Sequence, residues 1–251
     1  MFELFLELHR GLPRQGPGSR EHTLQALEAV PDLPGAPRII DLGCGPGAHT
    51  VDLLTKLPDA TVVAVDQLPV MLDELRRRAV AAGVADRLET VEGDMVELPA
   101  QVNRAWFHLV WSEAAIYAVG FDRALAAWRH LLVPGGFIAV SDLVWTGPVD
   151  AVPEAARAFW AEEYPAMRSE ADNRAAFEAA GYELAASFRL PASAWQDEYY
   201  RPLLARLPDF EAAHPNDEHA TEVAQATRRE AEVVAAHHEA FAYVFYVGRM
   251  R

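Results

Sequence analysis

Asp41-Leu42-Gly43-Cys44-Gly45-Pro46-Gly47 is the stretch of the chain with the clearest chemistry. Glycines take positive φ and let the backbone approach a ligand closely. A short apolar run, Arg38–Leu42, leads into the turn and helix-forming residues follow it. The turn thus joins a strand to a helix whose first N–H groups are free for a ligand. Asp41, Gly43, Cys44 and Gly45 stand where such a ligand would lie, with Asp41 placed to attract an ammonium. Asp66 closes the next apolar run, where a carboxylate accepts from ribose hydroxyls. Gln67 and Met71 follow it on the same side. Gly93-Asp94-Met95 closes the third run. There Asp94 is placed to accept from an adenine amino group and Met95 to flank the ring. An aspartate at a strand end is often only a helix cap. Here the acids recur in the order that builds one crevice at the carboxyl ends of a sheet.

The elements around these residues alternate. Strands are predicted at 38–42, 61–65, 87–91, 107–111 and 137–141, with helices at 48–57, 68–82 and 122–132. Such alternation means a parallel sheet with crossover helices, and the continuous β-branched runs mean strands covered on both faces. Ahead of them, an apolar helix over Phe2–Leu8 and a helix from Ser19, as N-cap, to Val30 flank a Gly/Pro-rich turn. Past Asp142 the pattern changes. Helices are expected at 155–163, 174–180 (closed by Gly181) and 218–239, and strands at 182–190 and 241–247. The stretch from Pro191 to Pro215 is rich in aromatics and proline.

Bulk composition limits the function. Lys and Arg number 22 against 37 Asp and Glu, a formal net charge of -15. This argues against nucleic acid as a partner and against docking on anionic lipid. No apolar run is long enough to span a bilayer, and the first residues lack the basic region and cleavage site of a signal peptide. Cys44 is the single cysteine, which suits a reducing compartment, so a cytoplasmic protein is expected. The nine histidines have no metal-ligand spacing, so no metal is expected.

Asp41–Gly47, Asp66, Gly93–Met95 and Leu132-Val-Pro-Gly-Gly136 resemble the ordered motifs of class I S-adenosylmethionine-dependent methyltransferases. The resemblance runs from about Arg38 to Asp142. It implies a Rossmann-like α/β fold: a seven-stranded, mostly parallel sheet with the last strand antiparallel, helices on both faces and helical cap insertions. It also implies S-adenosylmethionine as cofactor and S-adenosylhomocysteine as product. Gln15–Ser19, Glu113–Tyr117 with Gly120-Phe121, Tyr164-Pro165 and Tyr243–Gly248 are similar to a bacterial subgroup of small-molecule methyltransferases, methyltransferase type 11-like. That subgroup names no acceptor. It does imply that the loop holding Gln15, Gly16 and Gly18 closes on the methionine portion as a lid.

Methyl transfer asks mainly for alignment and exclusion of water, plus a base where the acceptor carries a proton. In this fold the residues after the fourth strand face the methyl donor. Glu113 is therefore the candidate base, or else a ligand-orienting acid, with Ser112 beside the methionyl moiety. Trp145, Phe159, Trp160, Tyr164, Trp195, Tyr199 and Tyr200 each read singly as core and as a group as an acceptor pocket. The expected division of the single domain is residues 1–36 as N-terminal helices and lid, 37–142 as cofactor-binding core and 143–251 as acceptor-side cap. The alternatives are an NAD-dependent oxidoreductase and a non-catalytic S-adenosylmethionine-binding protein. The apolar first helix either caps its own subunit or packs across a homodimer.

Overall fold

The computed structural model describes residues 1–100, 102 and 104–251. Seven strands form one sheet in the order β3-β2-β1-β4-β5-β7-β6. They are β1 (Arg38–Leu42), β2 (Thr61–Asp66), β3 (Leu88–Glu92), β4 (Phe107–Ser112), β5 (Leu132–Trp145), β6 (Tyr182–Arg189) and β7 (Phe241–Met250). Strands β1 to β5 pair in parallel, and β7 runs antiparallel between β5 and β6. This is the Rossmann-like sheet expected from the sequence.

Strand geometry explains why helices are needed on both faces. Successive side chains point to opposite faces, so a continuous apolar strand must feed two cores. Ile39, Leu109 and Ala139 enter one core, while their neighbours Ile40, Val110 and Val140 enter the other. The covering helices are α1 (Phe2–His9), α2 (Arg20–Glu28), α3 (Ala48–Lys56), α4 (Pro69–Ala81), α5 (Phe121–Trp128), α6 (Glu154–Glu163) and α7 (Glu170–Ala179). Four more lie between β6 and β7: α8 (Ala192–Trp195), α9 (Arg201–Leu204), α10 (Leu207–Ala213) and α11 (Glu218–His237).

Several boundaries differ from the sequence expectation. Strand β5 runs from Leu132 to Trp145 rather than from 137 to 141: β7 pairs with it through Trp145 at one end, and Leu132 pairs with Phe107 of β4 at the other. The proline-rich stretch after β6 is helical. A π-helical turn, Gln196–Tyr200, joins α8 to α9, and Pro202 and Pro208 fall in the first turns of α9 and α10, where no N–H is needed. Ser19 precedes α2 but does not cap it through its side chain, and its hydroxyl meets His22 Nδ1 at 3.0 Å instead. Arg87 lies in a 3-10 turn before β3, with its guanidinium donating to the carbonyls of Leu54, Leu57 and Ala60.

The strand order reverses between β1 and β4: β2 and β3 lie to one side and β5 to the other. A crevice opens at such a switch point, outside the carboxyl ends of the strands. Gly248 shows how tightly the far side is closed. A Cβ there would collide with the Phe177 ring and stand 2.7 Å from the Glu183 carbonyl oxygen. Gly248→Ala is expected to cost about 1–3 kcal/mol through overpacking, read as a lower urea midpoint with an unchanged slope.

Candidate active site

A cavity of about 300 Å³ occupies the switch point. Its floor is the turn after β1. Gly43, Gly45 and Gly47 all have positive φ there. A Cβ on Gly43 would stand 2.5 Å from the Ala115 Cβ, and one on Gly47 would run into Leu75. The turn is held by Gly43 N and Cys44 N donating to the Val65 carbonyl, and by Gly45 N donating to Asp66 Oδ2 at 2.8 Å. Cys44 is fully buried, and burial followed by the charges of Asp41 and Asp66 pushes its thiol well above the usual range. It is a space-filling residue here, without thiolate character.

Most of the residues singled out in the sequence meet at this cavity. Gln15, Gly16, Gly43, Cys44 and Gly45 line it, as do Asp66, Gln67, Met71, Gly93, Met95 and Glu113. Asp66 also accepts from Leu68 N at 2.9 Å, and burial raises its carboxyl against those backbone bonds. Asp94 lies off the wall. Its Oδ1 accepts from Val96 N and Glu97 N, which lowers its pKa, and its Oδ2 accepts from Gln67 at 3.2 Å. Gly18 packs behind the lid loop, near Arg14 and Glu113.

Two residues take places other than those read from the sequence. Asp41 does not face the cavity. It is fully buried beneath the turn, accepting from Thr50 Oγ1 at 2.5 Å and meeting His49 Nε2 at 3.2 Å. Side chains alternate along β1, so the carboxylate points into the layer that carries α3 rather than toward the ligand side. Ser112 is likewise buried, and its hydroxyl ties β4 to β1 through the Leu42 carbonyl at 2.8 Å.

Glu113 reaches the cavity, but its oxygens are engaged. Oε1 accepts from Trp111 Nε1 at 2.9 Å and Thr23 Oγ1 at 2.8 Å, and Oε2 accepts from Arg14 at 2.8 Å. Three donors, one of them a guanidinium, thus hold this side chain in place. The geometry suits an anchor. The anchor joins the lid loop, through Arg14, to the end of β4. Ala114, next along, has φ +51 and donates to Ser141 Oγ at 2.9 Å, so the chain turns sharply onto the cavity wall.

Arg14, His49, Thr23 and Ala114 were not read from the sequence. Arg14 is the centre of the lid's attachment, bonded also to Thr23 and Asp52. A single cation in a Gly/Pro-rich loop carries no spacing signal. His49 lines the cavity against Asp41. Burial draws its pKa down, but the charges of Asp41 and Glu113 and the Asp41 hydrogen bond outweigh this and raise it.

The lid loop carries the clearest sign of a ligand. Gln15 Oε1 is buried without a hydrogen-bond partner on the cavity wall, while its amide nitrogen reaches the His9 carbonyl at 3.4 Å. An unpaired buried acceptor costs about 1–3 kcal/mol unless a ligand donor meets it. The residues present thus suit a nucleoside bearing an ammonium: an acid at the end of β2, an apolar clamp of Met71 and Met95, and an acceptor in the lid. Among the described residues, no three His, Cys, Asp or Glu side chains gather as a metal site.

Asp142, near the end of β5, is buried. It accepts from Asn173 at 2.8 Å and from the Tyr164 hydroxyl at 3.2 Å. Burial pushes its carboxyl from 3.8 up to about 6, against the pull of Asn173, Tyr164 and Arg168. The folded chain thus holds this proton more tightly than the unfolded chain. Between about pH 4 and pH 6 the unfolded state loses the proton first, so this group lowers stability as pH rises, by about 3 kcal/mol in all. Asp142→Asn is expected to remove that fall, so that the variant gains on the parent chain across this window in urea unfolding at stepped pH. Arg14→Ala is expected to cost about 3 kcal/mol, because it strands the buried Glu113 without its cation. The same unfolding series at neutral pH measures it.

Residues 39–136 match the family described as methyltransferase domain. Over 119 residues the chain is 37% identical to trans-aconitate 2-methyltransferase of Deinococcus radiodurans, covering 47% of this chain and 41% of that protein. Over 180 residues it is 33% identical to trans-aconitate 2-methyltransferase of Mycolicibacterium gilvum, covering 69% and 66%. The chain spans less than half the length of the first curated relatives it matches. A crystal structure of a SAM-dependent methyltransferase from Geobacter sulfurreducens, in complex with S-adenosyl-L-homocysteine, superposes with a TM-score of 0.85. It is 20% identical, and the match covers 99% of this chain and 98% of that one, so the whole fold is shared. With its glycine turn, strand-end acids and sheet order, the chain belongs to the class I S-adenosylmethionine-dependent methyltransferases.

Proposed function

We infer that the chain transfers a methyl group from S-adenosylmethionine to a small-molecule acceptor, leaving S-adenosylhomocysteine. The observation that carries this is the cavity at the switch point, where the Asp66 carboxylate and the unpartnered Gln15 Oε1 face one volume. When bound, S-adenosylmethionine supplies an electrophilic methyl group on a sulfonium. Asp66 holds the ribose hydroxyls, Met71 and Met95 flank the adenine, and Gln15 accepts from the amino acid's ammonium. Asp94, with Gln67 on its outer oxygen, closes the adenine end.

Glu113 acts as a positioning residue in this reading. It holds Arg14, and with it the loop of Gln15 and Gly16, over the glycine turn. Gly16 is needed because a Cβ there would press on Ala114 at 3.0 Å. The lid keeps water from the reacting centre, which strengthens the electrostatic interactions within it. Asp41 acts at one remove, by orienting His49. In this division residues 1–36 supply the lid, 37–142 the donor site and 143–251 the acceptor side. The acidic net charge supports a small-molecule acceptor over nucleic acid, and the single cysteine supports a cytoplasmic setting. No helix among the described residues is long and apolar enough to cross a membrane.

The test is calorimetric titration of the purified chain with S-adenosylmethionine, S-adenosylhomocysteine and NAD. Micromolar-range binding of both sulfur compounds is expected, with none of NAD. Asp66→Ala is expected to weaken them by about tenfold or more, the loss of hydrogen bonds to a charged group. NAD binding without either sulfur compound would overturn the reading in favour of hydride transfer.

A further inference from the structure

Helix α1 turns two faces to different surroundings. Leu4 and Leu8, one turn apart, pack into the core. Phe2, Phe5 and Leu6 share another face, since residues three and four apart on a helix are neighbours, and all three line the donor cavity. Phe2 is 57% exposed and Phe5 40%. Tyr117, in the short turn Ile116–Ala118 after β4, lines the same cavity and is 45% exposed. Of the large apolar side chains exposed among the described residues, these three rings thus border one volume. Exposed apolar surface gathered at one place marks a ligand groove or a contact surface.

Contacts behind the rings hold them in place. The Phe5 ring lies 4.0 Å from that of His9, whose Nε2 meets the Tyr199 hydroxyl at 3.2 Å. Tyr117 packs edge-on to Tyr164 at 5.8 Å. Among the described residues, none past Ala118 lines the cavity. The aromatics Phe159, Trp160, Trp195 and Tyr200 are instead buried in the core, so residues 143–251 back this wall from behind. The cations on the cavity wall have acids of their own: Arg14 pairs with Glu113 and Asp52, and His49 with Asp41. Asp66 is tied to the glycine turn, through Gly45 N. The rings of Phe2, Phe5 and Tyr117 therefore offer a molecule apolar faces and no unpaired charge.

We propose that Phe2, Phe5 and Tyr117 form the acceptor's wall of the cavity, and that the acceptor is an uncharged molecule with an apolar, ring-sized body. The inference rests on the methyl-transfer reading of that cavity. In that reading Gln15, Asp66 and the glycine turn take the donor's polar groups, which leaves the three rings to the acceptor. An anionic acceptor would leave water without a cation to meet it, and an unpaired charge is costly to bury. An apolar body is favoured by leaving water, and offset or edge-on contact between aromatic rings adds to that. The rings border a cavity rather than a flat face, which suits a small molecule over a second copy of the chain.

The test is equilibrium binding to the full chain, with S-adenosylhomocysteine titrated first. The saturated protein is then titrated with phenol, 2-naphthol, 2-naphthoate and trans-aconitate. The naphthol is expected to bind about tenfold or more tighter than phenol, because its second ring adds buried apolar area. The naphthoate is expected to fall about tenfold or more below the naphthol, and trans-aconitate to show no binding. Phe2 and Phe5 are exposed, so truncating them spares the core. Phe2→Ala combined with Phe5→Ala is expected to weaken the naphthol about tenfold or more and to leave S-adenosylhomocysteine within about threefold. Tyr117→Ala, measured separately, is expected to act in the same direction. An equal loss of both ligands would place α1 on the donor and overturn the proposal. So would unchanged naphthol affinity in the variants, either anion binding as well as the naphthol, or no binding of any probe. A stable dimer that the double variant dissociates would overturn it too, by giving this face to a second copy. Failure of S-adenosylhomocysteine to bind, with the naphthol preference intact, would instead overturn the donor reading and leave the apolar site standing.

Discussion

The turn after β1 cannot carry side chains at two of its positions, and the site depends on that. Ala115 stands where a Cβ of Gly43 would be, and Leu75 where one of Gly47 would be. The first contact brings the segment after β4 against the turn after β1. The second seats α4 against the start of α3. Because β1 and β4 are neighbours whose chains depart in opposite directions, this close approach closes the floor of the crevice and leaves its mouth open. A larger residue at either glycine would move one wall of the cavity, whatever ligand it holds.

The roof depends on a buried charge network. Arg14 joins the lid to Glu113 and Asp52, and Thr23 and Trp111 fill the remaining positions around Glu113. Such a network is a poor source of net stability, because the desolvation of the charges offsets much of their attraction. Its effect here is geometric. It places the Gln15 side chain over the glycine turn.

Each acid around the cavity has donors of its own: Asp66 has two backbone N–H groups, Asp41 has Thr50 and His49, and Glu113 has Arg14. Asp142, on β5, likewise has Asn173 and the Tyr164 hydroxyl.

The cofactor half of the protein was legible in the sequence because its signals are local. Strand runs, the glycine turn and the acids at the strand ends occupy adjacent residues, and the family resemblance supplied the seven-stranded arrangement. Hence the sheet, the helices on both faces and the grouping of Gln15, Gly43, Asp66 and Met95 at one crevice could all be read from the chain. Which face of a strand an acid takes is set by register and by what packs there. Tertiary structure alone therefore turned Asp41 and Ser112 inward and gave Asp41 to His49. Arg14, far from Glu113 in the chain, became its partner only when the lid folded over β4. A proline-rich stretch read as irregular became helical because its prolines fall in first turns, where the missing N–H costs nothing.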